Sequence, residues 1–574
     1  MADLNTDSTL SSPNIGAVVE NLSNKKLFVI LGCLAILQTI FFLLGGVVAP
    51  QPSSYMTHGM RMCVDTHRDN ADHWFYLRPD DKKGCRNWLD SGHVEGDPHY
   101  KVSVNDARDI VFVAQMPHVR DGIHLRYSPW FQSLLGVLTI QTQYMPPSRY
   151  PQWKMYSDPV LRLEVRMGYK TTLESSEWHE LTSATITRKL RCSDPEPKRE
   201  GSNYGCEPVE LFELGSVDYP FYLINIRVPH KVANYSGVSS DDQNAGIGRL
   251  TGFDLVVIHQ NGGFTQIWLS MKTVLFPAIL ASLVWYWRRV RLLARPPLLL
   301  EKALVALGVA MLFIDLPIEW LSLMVRTPFM LLVSDIRQGV FYAMLLSFWL
   351  IFVGEHLLDD NRKNQLSYYW KHLAAVFFGC ACMFIFDMCE RGVHLTNPFY
   401  SIWSTSLGTN LAYGFVILAA ISAILYFCFI FYWICRVLLT VKAKRATLLN
   451  MRPNRRLRFE AVVYRFKFLM LFTVVCAALT IAAFIMTKIG EDQMHWGDWT
   501  ESPMIQYSSA FLTGVYGMWN IYTMLLLFMY APSHKRYGEA CQMTTSSIDD
   551  DEDENGRLAT ESSALTTLMK PATD

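Results

Sequence analysis

Apolar residues along the chain gather into eight long runs. The first, Leu27 to Ala49, holds 23 residues and no charge. At about 1.5 Å of rise per helical residue, it is long enough to cross a hydrocarbon core of roughly 30 Å. Seven more follow: Ile267–Trp287, Leu298–Val325, Ile336–Leu358, His372–Met388, Leu407–Cys435, Phe466–Thr487 and Ile505–Tyr530. Between the first two runs the chain is polar and its period changes. Leu161, Leu163, Val165, Met167 and Tyr169 alternate with Arg162, Glu164, Arg166, Gly168 and Lys170, the period of a strand with one buried face. Ile110–Met116, Trp130–Thr142, Ala184–Cys192, Phe221–Val228 and Phe253–His259 read as further strands. Pro, Gly, Asn and Ser cluster between them as turns require. Many short strands without long amphipathic helices predict an antiparallel β-sandwich. The organisation expected is therefore a polytopic α-helical membrane protein with eight transmembrane helices, one plus a bundle of seven. Its parts are a short terminus (1–26), a first span (27–49), an inserted β-sandwich (50–266), the bundle (267–531) and a polar tail (532–574).

Charge sets the orientation. Lys25 and Lys26 precede the first run, and Arg288, Arg289, Arg291 and Arg295 follow the second. Lys442, Lys444, Arg445, Arg452, Arg455, Arg456 and Arg458 follow the sixth. An even number of spans puts all three clusters on one side, which basic residues mark as cytosolic. Both termini are then cytosolic and the β-sandwich is luminal. A signal peptide is the competing reading of the first run. The run exceeds a typical signal core, and Pro50 follows without a small-x-small cleavage site, so an uncleaved anchor is preferred.

The 52 basic and 52 acidic residues cancel, so no global field points to nucleic acid. Of the 12 cysteines, Cys63, Cys85, Cys192 and Cys206 lie in the polar segment. Four cysteines allow three pairings. The local ones, Cys63 with Cys85 and Cys192 with Cys206, are favoured in an oxidising lumen. Asn234-Tyr-Ser236 is a glycosylation sequon on the same side. Asn21-Leu-Ser23 falls on the cytosolic side and is discounted. Asp549 to Glu554 is an unbroken acidic run, which repels itself and suits a disordered, docking tail.

Ionisable residues near or inside spans need a reason. Asp315 and Glu319, four apart, would share a helix face, and Pro317 between them should kink the span. Asp387 and Glu390 also share a face, with Arg391 within pairing reach of Asp387. Both groups fall in the luminal half, and bracing between helices explains them best. The last span carries Ser509, Thr513 and Gly517 at intervals of four, which permits close helix packing, and Asn520 follows on the same helix. His93, His99, His118 and His124 match no tight metal-ligand spacing, so no metal is expected. No cofactor is implied.

Several long segments carry a family resemblance. They are His259-Gln-Asn-Gly-Gly-Phe264, Trp285-Tyr-Trp-Arg-Arg289 with Arg295-Pro-Pro297, and Asp335-Ile-Arg-Gln-Gly339 running into Phe341 to Trp349. Gly354-Glu-His356, Phe384 to Trp403, Arg465 to Met470, Gly514 to Asn520 and Tyr530 to Lys535 continue the series. Together they resemble the Wntless family over nearly the whole chain. The resemblance implies a luminal lipocalin-like sandwich related to GOLD domains, and seven helices arranged like a G-protein-coupled receptor. It implies a carrier, not an enzyme, that binds palmitoleoylated Wnt proteins and takes them from the endoplasmic reticulum and Golgi to the cell surface. Return through endosomes would use clathrin adaptor and retromer machinery. An exposed acyl chain costs about 0.8 kcal/mol per CH₂, so such cargo needs an apolar shelter within the protein or membrane lipid. Phe348, Trp349, Phe386, Phe399, Tyr400 and Trp403 are the aromatics expected to line or gate the acyl route.

One position departs from the family. Where its cytosolic loop can carry a Tyr-x-x-bulky internalisation signal, this chain reads Phe459-Glu-Ala-Val462. Asn397-Pro-Phe-Tyr400 resembles an endocytic signal but falls on the luminal side. A signalling receptor, an intramembrane enzyme and a channel remain the rival readings. Against the receptor, the last helix lacks Asn-Pro-x-x-Tyr, and Gly354-Glu-His356 stands where Asp-Arg-Tyr would be. Against the enzyme, no Gly-x-Gly-Asp accompanies the acids.

Overall fold

The computed structural model describes residues 24–64, 85–86, 110–229, 244–357, 364–447, 467–480 and 508–532, single positions apart. Asn234, Phe459, His93, His99, His118 and the acidic run of the tail lie outside the described residues.

Helix α1 (Asn24–Leu43) closes with a π-turn at Leu44–Val48. Among the described residues fourteen strands follow: β1 (Ser53–Gly59), β2 (Arg61–Val64), β3 (Cys85–Arg86), β4 (Ile110–Met116), β5 (Val119–Arg120), β6 (Ile123–His124), β7 (Leu134–Gln143), β8 (Val160–Lys170), β9 (His179–Lys189), β10 (Cys192–Ser193), β11 (Gly205–Cys206), β12 (Val209–Leu214), β13 (Phe221–Arg227) and β14 (Arg249–Gln260). The helices are α2 (Gly262–Arg291), α3 (Leu299–Asp315), α4 (Glu319–Ser322), α5 (Met330–Leu357), α6 (Leu366–His394), α7 (Ser406–Thr447), α8 (Met470–Thr480) and α9 (Ser508–Met529).

The strands form a four-stranded sheet, β1-β14-β7-β12, and a six-stranded sheet, β3-β2-β4-β13-β8-β9, with two short ribbons. The pairings are antiparallel, which fits the alternation seen along β8. Phe112, Leu163, Val165 and Ile224 from one sheet meet Leu138, Phe253 and Leu255 from the other in one core. Phe112 and Phe253 touch edge to face at 4.7 Å. Burying such side chains is worth roughly 1.5–3 kcal/mol each. Cys192 and Cys206 form a disulfide. Cys63 is also disulfide-bonded, and Cys85 is its partner in strand register.

Seven described helices are long and apolar enough to cross a membrane. The eighth run, Phe466–Thr487, contributes the shorter apolar helix α8 among the described residues. A single residue separates β14 from α2. Asn261 caps that helix, its side-chain oxygen accepting the Gly263 N–H at 2.9 Å. The Asn261 amide also donates to Ser54 on β1 at 3.0 Å. The sandwich is thereby tied directly to the head of the bundle.

The first span lies against the last. Ser509 donates to the Gly45 carbonyl and Thr513 to the Phe41 carbonyl, at 2.8 and 3.0 Å. A Cβ on Gly45 would run into Thr513, and one on Gly517 into Phe41, so both glycines serve close approach.

The run Leu298–Val325 is not one kinked helix. α3 ends at Asp315, Pro317 follows, and Glu319 opens a separate turn. Asp315 and Glu319 therefore do not share a helix face. The released carbonyls explain the break: Arg337 on α5 donates to those of Phe313 (2.8 Å), Ile314 and Leu316 (2.5 Å).

Candidate functional site

Two polar groups meet near the head of the bundle. In the first, Asp315 is fully buried and accepts from the Tyr516 hydroxyl at 2.5 Å and the Asn520 amide at 3.3 Å. Glu319 pairs with Lys272 at 2.5 Å and Arg337 at 3.1 Å. Two anions and two cations balance, drawn from four helices, α2, α3, α4 and α5, and α9 adds the neutral donors Tyr516 and Asn520. These ion pairs and hydrogen bonds tie the five helices to one another.

The second group lies where α6 meets the sandwich. Arg391 pairs with Asp335 on α5 at 3.1 Å, and not with Asp387 one turn back. Glu390 accepts the Ile402 N–H at 2.9 Å and fixes the loop that follows. His394 places Nδ1 2.8 Å from the Glu213 carboxylate and Nε2 2.8 Å from the Tyr400 carbonyl. The ring nitrogen beside Tyr400 donates to that carbonyl, and the other faces the Glu213 carboxylate as an ion-pair partner. Burial alone would raise the Glu213 carboxyl. The His394 contact and the Arg391 charge outweigh it and hold that carboxyl below its ordinary value.

The aromatic loop after α6 is divided between the two bodies. Phe399 is almost fully buried in the sandwich core, so it is an anchor and not a free wall of a bundle pocket. Backbone bonds hold it there. Glu213 N–H donates to the Pro398 carbonyl at 2.9 Å, covering the free edge of β12. Arg188 donates to the Phe399 carbonyl at 2.8 Å and the Glu210 carbonyl at 2.9 Å. Burial lowers the Arg188 guanidinium from its ordinary value.

The other five aromatics separate likewise. Phe348 is buried in the bundle core, and Trp349 donates from its ring to Tyr522 at 3.0 Å. Tyr400 is half-buried beside His394. Phe386 and Trp403 lie 6.3 Å apart, and Trp403 meets Tyr413 at 5.4 Å. Trp403 and Tyr413 are exposed and Phe386 is half-buried, at the sandwich end of the α6–α7 pair. A cavity of about 220 Å³ lies on the seam, bordered by Glu213, Tyr219, Leu331, Arg391, His394 and Pro398.

Sequence reasoning missed Lys272 and Arg337, although a charge inside an apolar run was the available signal. It also missed Arg188, Glu213, His394 and Tyr516, whose partners are distant in the chain and leave no local mark. Among the described residues, no three His, Cys, Asp or Glu side chains gather into a metal site.

Residues 61–260 match the Wntless GOLD domain, and residues 261–534 match the Wntless-like transmembrane domain. The chain belongs to the Wntless family. Its sandwich is the GOLD domain of that family and its bundle the transmembrane domain, and the family is not one of enzymes. A Caenorhabditis elegans relative named protein wntless homolog is 47% identical over 566 residues, covering 97% of this chain and all of the relative. Homologues of the same name from Rattus norvegicus and Homo sapiens are 43% and 42% identical, each covering 91% of this chain and 92% of the relative.

Proposed function

We propose that this chain is a carrier for secretion of Wnt proteins that bear a palmitoleoyl chain. The GOLD domain faces the lumen and contacts the protein part of the cargo. The acyl chain leaves water at the luminal mouth beside α6 and α7. The observation that carries this reading is the Phe386–Trp403–Tyr413 group, a set of large aromatics left partly open to the membrane where the bundle meets the GOLD domain. Next to it, Phe384, Ile385, Leu411 and Ile417 expose an apolar surface on α6 and α7. An acyl chain moving along that surface stays out of water throughout its path.

Phe348 and Trp349 lie deeper and would form the packed wall behind the chain. Phe399 and Tyr400 act one step back, by holding the loop that presents Trp403. The carrier moves from the endoplasmic reticulum through the Golgi to the cell surface, and returns through endosomes by clathrin adaptors and retromer. Asn234 carries a glycan, and both termini are cytosolic.

The deciding experiment is rescue of Wnt secretion in cells lacking their own carrier. This chain should restore secretion of a normal Wnt and have no effect on a Wnt whose acylated serine is replaced. Equal rescue of both cargoes would overturn the reading.

A further inference from the structure

Residues 316–329 connect α3 to α5 and turn a row of apolar side chains away from the protein. We infer that this segment is an amphipathic ledge embedded in the membrane leaflet on the GOLD-domain side, that its partner is phospholipid, and that it holds the GOLD domain against the bilayer.

The outward residues are Trp320, Leu321, Met324, Val325 and Phe329, all exposed, with Met324 at 83%. Exposure, not helical spacing, defines the row, since only Glu319–Ser322 of the segment is helical. The other side of the segment is engaged. Glu319 joins the buried charge group, Thr327 and Met330 are buried, and Ser322 meets Gln132 of the GOLD domain at 3.4 Å. Trp320 contacts Trp130 at 6.1 Å and donates to Thr273 on α2 at 3.0 Å. Arg326 lies over the Tyr219 ring at 4.7 Å and donates to its hydroxyl at 2.9 Å. A Cβ on Gly215 would meet the Pro328 carbonyl, so the GOLD domain rests directly on the segment.

Chain continuity supplies the partner. β14 passes into α2 at the GOLD-domain side, and α3 returns to that side. The apolar stretch long enough to span reaches from Leu299 through Ser322, so the first part of the ledge is also the end of that stretch. Val309 and Phe313 on α3 and Val340 on α5, the helices on either side, are exposed apolar residues as well. Glu319 and Arg326 are the charges in residues 316–329, and both point to the protein side. Trp at the edge, aliphatics outward and one Arg reaching up and away from the apolar row describe a segment lying in an interface.

The test uses the full chain in phosphatidylcholine nanodiscs. An environment-sensitive fluorophore is encoded in place of Met324. A second sample carries it in place of Tyr156, an exposed residue beside Gly246 at the far end of the sandwich. The expected result at 324 is blue-shifted emission, lost to phospholipid spin-labelled near the headgroup and retained in aqueous iodide. Position 156 should behave in the opposite way. A diazirine residue in place of Phe329 should form adducts with phospholipid. Iodide quenching at 324 equal to that at 156 would overturn the inference. So would diazirine adducts to polypeptide alone, whether cargo or a second copy of this chain.

Discussion

Asp315 is fully buried, and both of its donors, Tyr516 and Asn520, stand one turn apart on α9. Removing one leaves a buried carboxylate short of a partner. Tyr516→Phe should therefore cost about 1–3 kcal/mol, seen as a lower unfolding temperature of the purified protein in detergent. Phe399 and Trp403 are four residues apart and have different tasks. Phe399→Ala opens a hole in the GOLD core and should cost about 3–5 kcal/mol. Trp403→Ala touches an exposed side chain and should stay within about 0.5 kcal/mol of the parent. If Trp403 gates the acyl route, that variant alone should lose co-precipitation of acylated Wnt at unchanged stability. Retained cargo with Trp403→Ala would remove it from the site. Nothing in the local pattern separates these two aromatics. Both sit in one loop, and only the partner across the seam, the free edge of β12, decides which is buried.

At the scale of elements, hydropathy is a good guide to spans and a poor one to their ends. The runs around α2, α5, α6, α7 and α9 were legible because about 20 apolar residues in sequence have few other uses. The end of α3 was not, since apolar residues continue to Val325 through the break. A proline in a span suggests a kink. Here the helix stops short of Pro317, and a guanidinium two elements later donates to its last carbonyls. Arg337→Met should leave those carbonyls without their donor and Glu319 with Lys272 alone, costing about 3–5 kcal/mol in thermal unfolding. Arg337→Lys should recover only part of it, because one ammonium cannot reach several carbonyls in the fixed fork of a guanidinium. The small-residue seam on α9 was legible from its spacing of four, whereas its partner was not. Ser509, Thr513 and Gly517 lie more than 400 residues from Gly45 and Phe41. Gly517→Leu should push Phe41 away and loosen α1. Co-purification of a separately expressed first span with the rest of the chain would then fall.

At the scale of the whole molecule, two bodies were legible in order and kind, because strand period and span length are local. Their joint was not, because it is made of pairs that are far apart in sequence. Asn261 couples them through the backbone, Arg326 with Tyr219 through the ledge, and Glu213 with His394 through charge. The last pair makes the joint respond to acid. Burial would raise the Glu213 carboxyl, but the His394 contact and the Arg391 charge place it below the ordinary 4.5. A carboxyl that is lower in the folded than in the unfolded state binds fewer protons when folded. Its stabilising contribution is complete above that ordinary value and disappears as pH falls through the depressed one. The parent should therefore lose more unfolding temperature as pH falls from about 5 through that depressed value than Glu213→Gln does. His394→Gln should remove the same part of the dependence, since the depression rests first on that contact. Arg391 adds a second charge, so Arg391→Gln should remove less. An identical pH slope in the parent and in Glu213→Gln would show that the joint is held by the Phe399 anchor and its backbone bonds alone.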